Sequence, residues 1–234
     1  MAPTNTYSGQ NRLLKAVPAD DFARFFSSLE PATLRLRQEI HSPGQPVEYV
    51  YFIERGVTSI LSIMADASTI EVGMVGSEGM VGVAQLLDPG AASLHVIVQV
   101  PGTALRMPLA KCRRAFDESA AVRTAMLRFA SDLLSLSSQT AACNRLHSIE
   151  QRCARWLLMA YDRIDSERLP MTHEFLASML GVRRAGVTVA AQELQRSGLI
   201  SYRQGEVTIR DPDGLEALAC ECRQADHARL NRLR

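Results

Sequence analysis

The 234-residue sequence lacks the features that would place a protein in a membrane or outside the cell. No run approaches the ~18 consecutive apolar residues that a membrane-spanning helix needs. Residues 1–10 carry neither the basic segment nor the apolar segment of a secretory signal. Aromatic residues are scarce at 6%, but a hydrophobic fraction of 47% is enough for ordinary globular cores. We therefore expect a soluble, cytoplasmic protein, and the length favours two modest domains over one large one.

Cysteine and histidine are too sparse, or wrongly spaced, for the metal and catalytic patterns that sequences reveal. The five cysteines form neither an even disulfide framework nor a paired CxxC motif, and none precedes Cys112. The five histidines never fall two apart, so the HxH pair of a metal-dependent oxygenase is missing. No Ser/His/Asp or Walker-type signature appears either. We expect no enzyme activity and no metal site, and we interpret Cys220 and Cys222 as passive thiols rather than a redox switch.

The formal net charge of +1 hides an uneven distribution of charge along the chain. Residues 1–143 carry 12 basic and 13 acidic residues, whereas residues 144–210 carry 10 arginines against 7 acidic residues. A basic second half can be the footprint of a nucleic-acid-binding domain. An excess this small is weak evidence until a motif accompanies it.

The N-terminal half alternates short apolar and polar runs that are broken by turn residues. Turns are expected at Glu54-Arg55-Gly56, which would form a hairpin, and at Pro101-Gly102. Many short strands with closely spaced turns predict an antiparallel sandwich or barrel. The expected strands are 34–40, 47–56, 57–64, 69–76, 93–100 and 103–107.

From about Asp117 the pattern becomes helical, with apolar positions at alternating steps of three and four. One explanation is an amphipathic helix that packs on its own sheet. A narrow seam of this length between two domains is better explained by self-association, so we expect a dimerisation helix over 118–143. The seam residues are Val122, Met126, Phe129, Leu133, Leu136 and Thr140.

The segment after about residue 148 predicts a winged helix-turn-helix. Thr172 can cap a first helix that Gly181 ends, and a second helix follows from about Arg183 to Arg196. Two short strands around Gln204-Gly205-Glu206 then form a β-hairpin. Helix, glycine turn, helix and two-stranded ribbon are the parts of a DNA-binding module.

The second of these helices has an outer face that its core does not need. Burying Val187, Ala190 and Leu194 turns the opposite face outward, with two arginines at the leading end. A helix that reads the major groove has this arrangement, whereas a merely solvated face would mix in more acidic residues. We therefore favour DNA recognition over a solvated surface.

Several segments together resemble transcription regulators of the Crp/Fnr family. The resemblance covers nearly the whole chain and is most specific in the last segment: 50–61, 70–83, 146–158 and 172–201. It implies an α+β fold in which an antiparallel β jelly-roll sensor precedes a dimerisation helix and a winged helix-turn-helix. The implied partners are double-stranded DNA with an inverted repeat, a second copy of the chain and RNA polymerase. On this basis the expected domains are 1–117 (sensor), 118–143 (dimerisation), 144–223 (DNA binding) and 224–234 (C-terminal tail).

The resemblance also implies how DNA is contacted. Where well-known members carry Arg-Glu and a further Arg, this chain has Arg184, Ala185 and Val189. Arg184 can bind guanine in a bidentate manner, and the two apolar side chains can pack against thymine methyl groups. The remaining polar positions are expected to face bases or phosphates. The expected DNA contacts are Arg183, Arg184, Ala185, Thr188, Val189, Gln192, Arg203 and Gln204.

The family's known ligand chemistry fits this chain poorly. Its cyclic-AMP binders hold the buried phosphate with an arginine and backbone N–H groups, but no arginine or lysine lies between Glu78 and Val98. An iron–sulfur cluster would need N-terminal cysteines, and only His41 and His95 could bind a haem in the sensor. We expect none of these cofactors; the effector is unidentified, and an effector-independent regulator or a nucleotide-sensing module without DNA function are the alternatives. If a pocket exists, its candidate residues are Gly76, Glu78, Gly79, Gly82, Ser93 and His95.

Overall fold

The computed structural model describes residues 7–164 and 166–232. It confirms the predicted fold class, because an antiparallel sheet is followed by a long helix and a C-terminal helix-turn-helix with a small second sheet. Within these residues, no helix combines the length and the apolar character required to cross a membrane.

The chain forms two compact units whose boundaries cut across the expected domains. One unit holds residues 7–60 together with Val75–Ser135. The other holds Leu61–Met74 and Leu136–Arg232, so the long helix contributes residues to both. We call them the sensor unit and the DNA-binding unit.

The first half of the chain folds as a six-stranded antiparallel sheet with short helices around it. The strands follow the order β1-β6-β3-β4, with β2 paired to β6 and β5 paired to β3. The sensor unit buries large apolar side chains such as Leu13, Phe26 and Phe52. The elements of this half of the chain are α1 (Arg12–Lys15), α2 (Ala19–Phe25), β1 (Glu30–Leu34), β2 (Glu39–His41), β3 (Tyr49–Ile63), β4 (Thr69–Val75), β5 (Met80–Val81), α3 (Ala84–Leu87), β6 (His95–Pro108) and α4 (Leu109–Glu118).

Several strand boundaries predicted from the sequence are wrong. The expected strand 34–40 is split by a turn that contains Arg37 with a positive φ of 62°. The expected hairpin at Glu54-Arg55-Gly56 does not form, because β3 runs through these residues without interruption. Strand β6 likewise runs through Pro101-Gly102.

Glycine at these two positions has a packing role rather than a turn role. A Cβ at Gly102 would lie 2.0 Å from the carbonyl oxygen of Arg55, and one at Gly56 would lie 2.5 Å from that of Val100. Strands β3 and β6 therefore approach so closely here that only glycine fits, and Gly56 also adopts a φ of +88°.

The second half of the chain contains the long helix, a bundle of shorter helices and a three-stranded sheet with the order β7-β9-β8. Helix α6 packs against the helices that follow it and buries Trp156, whose Nε1 donates a hydrogen bond to Glu71 over 2.9 Å. The elements are α5 (Ala120–Leu146), α6 (Ile149–Tyr161), β7 (Arg168–Pro170), α7 (His173–Leu180), α8 (Arg184–Arg196), β8 (Ile200–Arg203), β9 (Glu206–Ile209), α9 (Pro212–Leu218) and α10 (Cys222–Arg232).

The helix ends in this half follow from local sequence signals. The Thr172 side chain accepts a hydrogen bond from the backbone N–H of Phe175, as expected for an N-cap. Gly181 ends α7 in the left-handed conformation, at φ 61°. The expected C-terminal tail is instead helix α10, which buries Arg223, and it begins before the predicted boundary.

Candidate DNA-binding interface and sensor loop

Helix α8 presents the outer face that the sequence predicts. Val187, Ala190 and Leu194 are buried, and they fix the rotation of the helix about its axis. The opposite face exposes Ala185 and Gln192, while Val189 is 58% exposed. An exposed apolar side chain beside polar ones suits contact with base edges, because a thymine methyl group needs an apolar partner.

Two arginines lie at the N-terminal end of this face. Arg183 occupies the N-cap position of α8, and Arg184 is its first residue; both side chains are exposed. The N-terminal end of a helix also carries unsatisfied backbone N–H groups and the positive end of the helix dipole. This end of α8 can therefore attract the phosphates and base acceptors of DNA.

Thr188 is held by neighbouring groups within the module. Its hydroxyl donates to the carbonyl oxygen of Arg184 over 3.0 Å and lies 3.2 Å from His173 Nδ1. The His173 ring in turn packs on Tyr202, with 4.2 Å between the ring centroids. Burial, and then the charge of Arg184, lower the pKa of His173, so this ring is neutral near pH 7. Thr188 thus orients the start of α8, which leaves Gln192 as the polar side chain best suited to reading a base.

The three-stranded sheet forms the wing beside α8. Gln204 and Gly205 make a two-residue turn with φ values of +51° and +79°, which is the geometry of a tight β-hairpin. Arg203 precedes this turn, and both Arg203 and Gln204 are exposed, as the phosphate-contact prediction requires.

Two further arginines of the wing were not predicted as DNA contacts. Arg168 on β7 and Arg210 after β9 line one shallow groove together with Arg203, Ser201 and Thr208. Thr208 is in register with both Arg168 and Ser201, so these side chains share one face of the sheet. The alternation of buried and outward side chains along β9 indicates which face Thr208 and Arg210 occupy. The three-residue strand β7, in contrast, becomes recognisable as a strand only when the sheet is known.

The predicted dimerisation seam is wrong for most of its residues. Val122, Met126, Phe129 and Leu136 are at most 6% exposed within the single chain. The Phe129 ring lies against Gly79, where an added Cβ would come within 2.0 Å of it. Leu133 and Thr140 are half-buried. These side chains fill the chain's own interior, which is the alternative that the heptad pattern left open.

A second stripe on α5 is exposed. Leu127 is 44% exposed and Leu134 is 69% exposed, and the two are one heptad apart. Between and beyond them, at steps of three and four, lie further exposed residues that are small: Thr124, Ser131, Ser138 and Ala141. This exposed stripe has the period of a coiled-coil seam.

The glycine-rich loop of the sensor unit is filled by the protein itself. Glu78 is buried, and its carboxylate accepts a hydrogen bond from the backbone N–H of Gly76 over 3.1 Å. The carbonyl oxygen of Gly79 accepts from the Asn11 side chain over 2.7 Å. Gly82, at φ +100°, leaves room for the Val50 side chain, which would lie 2.8 Å from an added Cβ. The loop glycines are thus explained by packing.

The remaining candidate pocket residues have other surroundings. Ser93 is exposed, and His95 Nε2 lies 3.6 Å from a carboxylate oxygen of Glu39. His41 is buried and its Nε2 donates to the carbonyl oxygen of Tyr49 over 3.0 Å. Burial lowers the pKa of His41. Of the predicted pocket residues, Gly76, Glu78 and Gly79 thus lie together in one loop, whereas Ser93 and His95 have separate surroundings.

A buried polar pair inside the sheet was not predicted. The Ser59 hydroxyl donates to Gln99 Oε1 over 2.6 Å, and both residues are fully buried. In the part of the chain that the structure describes, the amide nitrogen of Gln99 has no hydrogen-bond acceptor. A buried donor without a partner is costly, so this pair is a polar position inside a largely apolar sheet interior.

Comparisons with known proteins match a domain in each half of the chain. Residues 151–218 match the family model of the Crp-like helix-turn-helix domain, and residues 32–119 match that of the cyclic nucleotide-binding domain. The global nitrogen regulator of Synechocystis sp. is 24% identical over 219 residues, which cover 88% of this chain and 95% of that protein.

Solved structures show the same fold. FixK2 from Bradyrhizobium japonicum has a TM-score of 0.69 at 16% identity and covers 82% of this chain and 98% of its own. The c-di-GMP responsive global regulator CLP from Xanthomonas campestris has a TM-score of 0.67 at 19% identity, with coverage of 82% and 98%. At such identities the likeness concerns the arrangement of helices and strands.

Proposed function

We propose that this chain, which belongs to the Crp/Fnr family of DNA-binding transcription regulators, binds an inverted-repeat promoter site as a homodimer. The exposed face of α8 carries this proposal, because Arg184 leads the face and the wing exposes further arginines. Regulators of this family act as dimers on DNA. An inverted repeat presents each half-site to one copy.

Within each half-site we assign base reading and phosphate binding to different residues. Arg184 contacts guanine O6 and N7, and Ala185 and Val189 pack against thymine methyl groups. Gln192 reads an adenine where it reaches one. The phosphate contacts that we assign are the exposed side chains of Arg183, Arg168, Arg203, Gln204 and Arg210.

Selection of bound sites from a random DNA pool tests this division of roles. Arg184→Ala should cost about 1–3 kcal/mol of binding free energy and relax the preference at one guanine per half-site. Arg183→Ala should weaken binding to all sequences alike and reduce the slope of log K against log salt by about one.

The control is Arg114→Ala, which removes an exposed arginine of the sensor unit that pairs with Glu118. This variant should keep wild-type affinity and sequence preference. Equal loss of discrimination from Arg183→Ala and Arg184→Ala, or none from Arg184→Ala, would show that another residue reads the base. Absence of any specific site in the wild-type selection would contradict the proposed function itself.

For the dimer we propose the exposed stripe of α5 rather than the buried seam. Leu127 and Leu134 are the large apolar residues of the stripe, and small residues separate them, which lets two helices approach closely. Two copies of the stripe would bury these leucines against each other in a two-fold interface.

For the sensor unit we propose a signal other than a cyclic nucleotide, with effector-independent DNA binding as the alternative. The glycine loop is filled by Asn11 and Phe129, and the segment between Glu78 and Val98 offers no arginine for a phosphate. Native mass spectrometry of the purified protein, combined with an absorption spectrum, would detect a retained metabolite, haem or cluster.

The remaining partners follow from the role in transcription. We propose contact with RNA polymerase at the promoter and a cytoplasmic location, where bacterial DNA lies. We also propose that the chain has no catalytic activity, since the family consists of transcription regulators. The two sensor histidines support this, because His41 binds the Tyr49 carbonyl group and His95 pairs with Glu39 instead of facing a shared substrate.

A further inference from the structure

Three cysteines and one histidine that are distant in sequence meet in the DNA-binding unit. Cys143 and His147 lie one turn apart at the C-terminal end of α5, and the backbone N–H of His147 donates to the Cys143 carbonyl oxygen. Cys220 follows α9, and Cys222 is the first residue of α10. The four ligand atoms lie within 4.8 Å of one another. We call these four residues the Cys₃His cluster.

The spacing of the ligand atoms matches a single tetrahedral ion. Zinc–sulfur and zinc–nitrogen bonds of ~2.3 and ~2.0 Å place tetrahedral ligand atoms about 3.5 to 3.8 Å apart. In the Cys₃His cluster, the sulfurs of Cys143 and Cys220 are 3.6 Å apart, and Cys222 Sγ lies 3.7 Å from His147 Nδ1. The three cysteines are at most 3% exposed, so the sulfurs are withheld from solvent.

The surroundings hold the ligands in the form that a metal needs. His147 Nε2 lies 3.1 Å from a carboxylate oxygen of Glu221, which fixes the proton on Nε2 and turns the lone pair of Nδ1 towards the sulfurs. The amide of Gln139 donates to Cys222 Sγ over 3.0 Å. Carboxylate–histidine pairs and N–H donors to sulfur are typical outer partners of metal ligands.

The charges around the Cys₃His cluster also suit a metal–thiolate centre. Three thiolates and one neutral histidine around Zn²⁺ carry a net charge of −1. The buried guanidinium group of Arg155 lies beside Cys143 and is fixed by Asp226 over 2.6 Å. It can offset that charge.

We propose that Cys143, His147, Cys220 and Cys222 bind one zinc ion, which fastens the start of α10 to the end of α5. On binding, each of the three thiols releases one proton as its sulfur becomes a ligand of the metal, and His147 coordinates through Nδ1 without change of charge. Thiolate and imidazole ligands in a closed tetrahedral set select Zn²⁺ over hard cations such as Mg²⁺ or Ca²⁺. With four protein ligands, the site is structural rather than catalytic.

An iron–sulfur cluster and a disulfide fit the geometry less well. A cluster must place two or four irons and their bridging sulfides between the ligands, whereas these ligand atoms surround the volume of one ion. A disulfide between Cys143 and Cys220 would join two of the sulfurs and leave Cys222 and His147 unexplained.

Metal analysis of the full-length protein, purified without chelator from zinc-supplemented cells, tests the proposal. We expect one zinc per chain, and less than about a tenth of that in Cys143→Ala and Cys222→Ala. His147→Gln should lose the metal, whereas His147→Cys should retain it as a four-cysteine site. Glu221→Gln should weaken zinc binding about 10- to 100-fold in competition with a chromogenic chelator.

Cys153→Ala is the matched control, because Cys153 is buried in α6 but is not a member of the Cys₃His cluster. It should keep one zinc per chain. Cobalt(II) added to the chelator-treated wild type should give the visible bands of a tetrahedral ion and the near-ultraviolet bands of thiolate ligands. Circular dichroism of His147→Gln, whose substituted side chain lies at the edge of the site, separates metal loss from unfolding.

Four results would overturn the proposal. The first is a wild-type protein that binds neither zinc nor cobalt, and the second is iron with acid-labile sulfide in place of zinc. The third is a Cys143–Cys220 disulfide in protein purified under reducing conditions. The fourth is a loss of metal in Cys153→Ala equal to that in the cluster variants. All of these measurements are made without DNA, so their outcome is independent of the proposed function.

Discussion

At the scale of single residues, buried histidines make the stability of this protein depend on pH. His41 is buried as a neutral donor to the Tyr49 carbonyl group, and burial lowers its pKa below the ordinary value of about 6.5. The unfolded chain therefore binds a proton more readily than the folded protein does. It follows that the stabilisation from neutral His41 is fully present above about pH 6.5 and is lost as the pH falls through the folded-state pKa.

We expect His41→Gln to weaken this pH dependence. A glutamine can still donate to the Tyr49 carbonyl group but does not titrate, so the free energy of unfolding should fall less between pH 7.5 and pH 5.5 than in the wild type. Urea unfolding of both proteins at several pH values measures the difference. Replacement of the exposed His227 by glutamine is the control and should leave the wild-type slope unchanged. A slope in His41→Gln as steep as in the wild type would assign the effect to other groups, such as His173.

At the scale of secondary-structure elements, α5 shows how a correct pattern can lead to a wrong assignment. The heptad of Val122, Met126 and Phe129 is real, but these side chains are buried inside the chain. The stripe of Leu127 and Leu134 has the same period and is diluted by small residues, so the sequence alone does not separate the two faces. Which face meets the chain's own core depends on tertiary packing.

The exposed stripe leads to a prediction about the dimer. Leu127→Asp with Leu134→Asp should give monomers that keep the folded sensor unit, because each leucine buried against a partner would contribute about 1.5–3 kcal/mol before entropic losses. Phe129→Asp should instead unfold the sensor unit, since it places a charge in the core beside Gly79. Light scattering after size-exclusion chromatography, with thermal unfolding, distinguishes the two.

Leu36→Asp, at a leucine of the sensor unit that is 48% exposed, is the control for the double variant. It adds a comparable charge at an exposed position outside α5 and should remain dimeric. A double variant that still elutes as a dimer would move the interface away from the exposed stripe of α5.

The strand boundaries show a related limit of sequence patterns. Gly56 and Pro101-Gly102 were interpreted as turns because glycine and proline usually interrupt strands, yet they lie within β3 and β6. Their reason is a contact between strands about 45 residues apart in sequence, which local patterns do not contain. In contrast, α7 begins and ends at local caps, and the bounds of α7 and α8 were predicted to within a residue or two.

At the scale of the whole molecule, the same distinction decides which sites the sequence reveals. The residues of the exposed face of α8 all lie within one helix, so they could be identified from the helical period alone. The Cys₃His cluster is split between residues 143–147 and 220–222, and no standard metal spacing marks either half. Arg168 of the wing was missed for the same reason, because its place on the same sheet face as Thr208 depends on pairing with β9.

The final prediction concerns the link between the sensor unit and DNA binding. An effector changes DNA affinity only if it binds, and by linkage DNA must change the affinity for that effector by the same factor. Since Asn11, Val50 and Phe129 fill the glycine loop and no arginine follows it before Val98, we expect cyclic AMP and cyclic GMP to fail this test. Calorimetric titration to millimolar nucleotide should show no saturable heat, and the DNA dissociation constant should be unchanged by either nucleotide.

Small-molecule fractions from the native host, added to the same DNA-binding assay, provide the comparison, because an authentic effector would shift the DNA dissociation constant where the nucleotides do not. A micromolar dissociation constant for either nucleotide would mean that the loop opens and that another group, rather than an arginine, holds the phosphate.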